Sequence, residues 1–145
     1  MQKILKNEQE TYAFAQQLAR TLKLGDVIAI SGDLGAGKSV FARALMRALD
    51  VKDEALPSPT YAIIQEYDGQ LVSGETCKVA HMDWYRLEES EEVEMLGVRE
   101  FFEPPWIAIV EWPERSIASF PKHMKCITLS YVEGEIEQRN IEIKQ

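Results

Sequence analysis

Apolar residues recur at helical spacing from Asn7 to Leu22. Phe14, Ala15, Leu18, Ala19 and Leu22 share one 3.6-period face, which predicts an amphipathic helix. Asn7 can cap its start, with Glu10 three residues on completing a capping-box-like pattern. After a Gly25-Asp26 turn, Val27 to Ser31 is a short apolar run that predicts a buried strand. A second helix is predicted over Lys38 to Leu49, with Phe41, Ala44, Leu45, Ala48 and Leu49 inward. The prolines of Leu56 to Thr60 mark a loop. Tyr61 to Tyr67 and Lys78 to Asp83 predict two strands, antiparallel across a loop around Asp68 to Thr76. Ser90 to Leu96 predicts a short acidic helix, and Trp106 to Glu111 another buried strand. Ile127 to Val132 and Arg139 to Ile143 predict a closing hairpin. This mixture implies a single α/β domain over residues 1–145, with a mixed central sheet between helices.

Between the first strand and the second helix lies Gly32-Asp33-Leu34-Gly35-Ala36-Gly37-Lys38-Ser39, a full match to G-x-x-x-x-G-K-[ST]. The glycines let the backbone approach a phosphate closely. The loop N–H groups can form an anion nest, and the helix that follows adds the positive end of its dipole. In this motif the lysine reaches the β- and γ-phosphates and the hydroxyl residue holds Mg²⁺. The strand–loop–helix context predicts a three-layer P-loop nucleoside triphosphate hydrolase-like fold that binds ATP with Mg²⁺. No NKxD string, the usual guanine-reading element, occurs in the chain, which disfavours GTP.

Composition narrows the partners. The formal net charge is −8 and the pI about 4.8. Tight autonomous binding to nucleic acid needs clustered Lys and Arg, so it is not expected, although action on RNA through a basic partner is compatible with this charge. Apolar runs such as Trp106 to Val110 fall far short of the roughly 20 residues of a membrane span. The N-terminal residues lack a secretory pattern, and Cys77 and Cys126 form no metal-type spacing. A cytoplasmic protein is expected.

A phosphate loop alone does not separate a hydrolase from a kinase or a nucleotide sensor. Asp83 and Glu111 each end a predicted strand, where an acid can hold Mg²⁺ or orient an attacking water. Thr60 in the proline-rich loop could sense the γ-phosphate. Four blocks, GDLGAGKS, SPTYAIIQEY from Ser58, HMDWYRL from His81 and VEWPER from Val110, together resemble the TsaE (YjeE) family of small bacterial ATPases needed for threonylcarbamoyladenosine in tRNA. The resemblance extends from Asn7 to about Arg139. It implies that Leu34 to Ser39 hold the ATP phosphates, that Ser39 and Glu111 take Mg²⁺, and that Asp83 serves ATP turnover together with Lys38. It further implies a switch-like role for Thr60, a functionally sensitive aromatic at Trp112, an N-terminal segment near the nucleotide at Glu8 and Thr11, and a basic position at Arg139. Partners of the TsaD and TsaB type follow from it, with tRNA engaged only through that complex. Ser39-Val40 departs from the family's commoner Thr-Thr but keeps the hydroxyl.

Other polar residues admit plainer readings. His81 lies two residues before Asp83 on a strand, so the two side chains point the same way; a structural or hydrogen-bonding role is expected for it. Glu88, Glu89, Glu91, Glu92 and Glu94 read as a solvated face or as a docking surface for a basic partner. No arginine finger is evident near the loop, which implies slow hydrolysis in isolation. A P-loop small-molecule kinase would need an arginine-rich lid, and a non-enzymatic sensor would bind ATP without turnover.

Overall fold

The computed structural model describes residues 1–53, 56, 64–87 and 89–144. Among these, seven strands form one sheet: β1 (Gln2–Leu5), β2 (Val27–Gly32), β3 (Ile64–Gln70), β4 (Thr76–Asp83), β5 (Trp106–Glu111), β6 (Lys125–Val132) and β7 (Glu135–Lys144). Helices α1 (Glu8–Ala19), α2 (Lys38–Ala48) and α3 (Ser90–Met95) and two 3₁₀ segments, Val98–Phe102 and Pro113–Ser119, complete the described elements.

The sheet order is β1-β7-β6-β2-β5-β4-β3. Strands β6, β2, β5 and β4 run parallel, while β7 and β1 on one side and β3 on the other pair antiparallel. The mixed sheet expected from sequence is therefore a four-stranded parallel centre with antiparallel margins. Parallel centres are buried on both faces, so their strands read as continuous apolar runs. Successive residues here enter different cores: Ile28, Ile30, Val79, Ile107 and Ile109 pack on the α1/α2 side. Val27, Ala80, Met82, Ala108 and Val110 pack with Val93 of α3 and with Phe101 and Phe102. These are the three layers.

Asn7 caps α1, its side chain accepting from Glu10 N at 3.0 Å. The Glu10 carboxylate reaches back to Lys6 N rather than to Asn7 N, at 3.2 Å. The helix stops at Ala19, short of Leu22, yet Leu22 remains in the core. The two helices meet through Phe14 and Phe41, ring centres 6.3 Å apart. Burying a ring such as that of Phe41, which has no solvent exposure, contributes on the order of 2–3 kcal/mol.

Strand β5 has the limits read from sequence, and β3 and β4 form the expected antiparallel pair, each running further toward their shared turn than expected. Residues 57–63, where the proline loop and the start of the first strand of this pair were expected, lie outside the described residues. The hairpin strands extend further than expected, because their added ends, such as Glu135 to Glu137, are exposed and carry no apolar periodicity. Strand β1 was not expected. Of its four residues Leu5 alone is buried, and the strand exists by pairing with β7.

Candidate functional site

The loop 33–37 leaves the carboxyl end of β2, a central parallel strand, and enters α2. This is the position where open α/β sheets bind ligands. Gly32 pairs with Leu129 in the β2–β6 ladder. A Cβ on Gly32 would lie 2.5 Å from the Leu129 carbonyl oxygen, so the loop departs where there is no space for a side chain.

The Lys38 side chain folds back over the loop. Its ammonium donates to the carbonyls of Gly32 at 2.6 Å and Asp33 at 2.7 Å, and lies 4.1 Å from the centre of the Trp112 ring. Burial lowers its pKa from the ordinary lysine value; Glu111, Glu114, Asp83 and Asp33 act in the opposite sense. Ser39 Oγ donates to Glu111 Oε1 at 2.8 Å. Glu111 is buried, and its other oxygen lies 2.6 Å from Nε2 of the fully buried His81.

Asp83 stands beside Glu111 in the parallel β4–β5 register. Its Oδ1 accepts from Tyr85 N at 2.9 Å. Desolvation raises the Asp83 pKa, the Tyr85 N–H offsets part of that, and nearby Glu111 adds to the rise. Trp112 follows Glu111 directly with φ of 59°, a left-handed conformation uncommon for a bulky residue. Its ring meets Tyr85 with centroids 4.7 Å apart.

Two clefts flank the loop and share Gly37 and Val40. One, of about 420 Å³, is lined by Leu34, Gly35, Lys38, Ser39, Asp83, Glu111 and Trp112, with Tyr85 and Arg86. The other, of about 560 Å³, is lined by Glu8, Thr11, Ala36 and Arg139, with Asn7, Gln9, Leu129, Ile136 and Glu137. The residues singled out in the sequence thus gather around one loop, where Asp33 contributes its carbonyl to Lys38; Thr60 lies outside the described residues. Arg139 donates through Nε to the Ala36 carbonyl at 3.2 Å, and through Nη1 to those of Ile136 and Gln138.

Sequence reasoning did not place Tyr131 at the loop. Tyr131 Oη donates to the Leu34 carbonyl at 3.0 Å from β6, the neighbour of β2 in the sheet but distant in sequence, a long-range contact that no local pattern announces. Arg139, expected as a basic position, and Arg86 each line one of the clefts. The HMDWYRL string was visible, but only the turn after β4 brings Arg86 to the cleft.

The family profile described as "Threonylcarbamoyl adenosine biosynthesis protein TsaE" matches residues 5–141. The chain belongs to the TsaE family. Among its TsaE relatives, the tRNA threonylcarbamoyladenosine biosynthesis protein TsaE of Aquifex aeolicus is 38% identical over 113 residues, 77% of this chain and 76% of the relative. The protein of the same name from Bacillus subtilis is 41% identical over 107 residues, 73% of this chain and 62% of the relative. The crystal structure of Bacillus subtilis YdiB superposes with a TM-score of 0.76 at 28% identity, covering 97% of this chain and 82% of that one. The P-loop-like α/β fold of this TsaE chain agrees with that neighbour. Among the described residues, no helix is long and apolar enough to cross a membrane.

Proposed function

We propose that this protein binds Mg²⁺–ATP at the loop 32–39 and hydrolyses it slowly, as an accessory to partners that attach the threonylcarbamoyl group to tRNA. The observation that carries this reading is the convergence of Lys38, Ser39, Asp83 and Glu111 on one loop at the end of parallel strands.

The donor set fits Mg²⁺. A serine hydroxyl and a carboxylate are hard oxygen ligands, and their 2.8 Å contact joins two groups that a cation would take together. Among the described residues no cluster of three or more His, Cys, Asp or Glu could hold a metal. Mg²⁺ held with nucleotide phosphates needs only one or two protein ligands. When bound, the ion would supply positive charge to the phosphate oxygens.

The chain's own groups divide the remaining work. Lys38 would exchange its two carbonyl partners for phosphate oxygens, neutralising charge that builds during phosphoryl transfer. Asp83, its pKa raised, is a better proton acceptor than a solvated carboxylate and would orient the attacking water. Glu8, Thr11 and Arg139 line the adjoining cleft, where the nucleoside would lie.

The net charge of −8 supports docking on TsaD- and TsaB-type proteins rather than direct binding of tRNA. That docking would depend on whether ATP or ADP is bound, with Thr60 as the switch residue. Phosphate release measured with and without the two partner proteins and tRNA tests the proposal. Turnover that rises with the partners is expected. ATP binding without hydrolysis under every condition would make the protein a sensor.

A further inference from the structure

Among the described residues, His81 is the one buried titratable side chain at the site to which neither the phosphate loop nor the two acids give a task. It has no exposure to solvent, and its Nε2 lies 2.6 Å from Glu111 Oε2. Its Nδ1 finds no hydrogen-bond partner among the described residues. An ionised carboxylate only accepts, so the proton of this contact sits on Nε2. In the neutral ring the partnerless Nδ1 is then an acceptor rather than a donor, the less costly of the two orphans.

The geometry divides the Glu111 carboxylate between two neighbours. Oε2 is held by His81 and Oε1 faces Ser39 Oγ at 2.8 Å. The alignment follows from register: Asp83 pairs with Glu111 and His81 with Ile109, so His81 reaches Glu111 from one pleat back on the same face. A glutamate has three side-chain torsions, and burial alone does not select which oxygen it presents. A fixed donor on one oxygen does.

We infer that His81 is a positioning residue that clamps Glu111 so that Oε1 and the Ser39 hydroxyl form the divalent-cation site. Outer hydrogen bonds of this kind orient ligating carboxylates, and their loss costs about 10–100-fold in metal affinity. This rests on the proposed assignment of the cation to Ser39 and Glu111, and the experiment separates the two.

Mn²⁺ binding is measured by electron paramagnetic resonance on the full chain with ADP present. Ser39→Ala and Glu111→Ala test the site itself: unchanged Mn²⁺ affinity in both would overturn the cation assignment and the clamp with it. With the site upheld, the His81 substitutions decide. A glutamine amide nitrogen can stand where Nε2 stands, whereas that of asparagine stands where Nδ1 does. His81→Asn and His81→Leu are expected to weaken Mn²⁺ by about 10-fold or more, and His81→Gln to recover most of that loss. ADP affinity without metal is expected to change less than twofold in all three. Equal Mn²⁺ affinities for His81→Gln and His81→Asn would overturn the clamp. If His81→Leu does not fold, the glutamine and asparagine pair decides, and failure of both to fold would make His81 a core residue only and overturn it as well.

Discussion

Gly35→Ala is the substitution whose cost the structure resolves into separate parts. Gly35 has φ of +82°, and a Cβ there would lie 2.6 Å from Tyr131 Oη and 4.0 Å from its Cζ. An alanine in the left-handed region costs about 1–2 kcal/mol. The tyrosine can swing away, but it then loses its bond to the Leu34 carbonyl, worth about 0.5–1.5 kcal/mol. It also leaves the Arg139 guanidinium, now 4.7 Å from the ring centre, at a cost of about 0.5–1 kcal/mol. The stiffer unfolded chain returns about 0.4–1 kcal/mol. The expected loss is about 2–3 kcal/mol. Urea unfolding followed by circular dichroism measures it, and Tyr131→Phe isolates the clash. Without the hydroxyl the ring can stay in place, so the double variant should be more stable than the sum of the single effects by about 1–2.5 kcal/mol. Effects that add to within about 0.5 kcal/mol would refute the steric argument. Gly32→Ala is the contrast. Its Cβ meets the Leu129 backbone oxygen at 2.5 Å, so it should cost more than Gly35→Ala, and Tyr131→Phe should give it no relief.

Lys38→Ala removes charged hydrogen-bond donors each worth about 1.5–3 kcal/mol, so ATP affinity measured by calorimetry should fall by about 10–100-fold while the thermal transition stays cooperative. Asp83→Asn should lower phosphate release with ADP affinity within about threefold of the parent, since the amide cannot accept the proton of the attacking water. Asp83 also carries a stability signature. Because its folded pKa is raised, its contribution is fully present below the ordinary value of 3.8 and is lost as pH rises through the higher folded value. Asp83→Asn should therefore gain stability relative to the parent across that interval, and a pH series of melts showing the opposite slope would contradict the desolvation argument. Phe41→Ala, in the core between the helices and the sheet, should cost about 3–5 kcal/mol by denaturant titration.

What could be read from sequence were the parts with local causes. The phosphate loop announces itself because each of its backbone needs falls on a residue within eight positions. Strand β5 is legible because both of its faces are buried, leaving an unbroken apolar run. Strand β1 was illegible because its existence depends on β7 at the other end of the chain. The 3₁₀ segment Val98–Phe102 carries the buried Phe101 and Phe102 but is too short to show a period. At the site, Asp83 and Glu111 were readable as strand ends. Their shared register, the His81 contact and the bonds of Tyr131 and Arg139 to the loop required the sheet order, which no stretch of sequence contains.

The surroundings of Lys38 bear on how a nucleotide would enter. Glu111, Glu114, Asp83 and Asp33 all act electrostatically on its ammonium, so four acidic side chains surround it, with Arg86 lining the same cleft. A bare triphosphate would meet these four acids as well as Lys38, Arg86 and the loop amides. The same polyanion already carrying a divalent cation would bring less negative charge and deliver further counter-charge to Glu111. On these electrostatics the ordered route for the proposed ligand would be entry of the preformed metal–nucleotide complex. Excess chelator should then slow association more than it speeds departure.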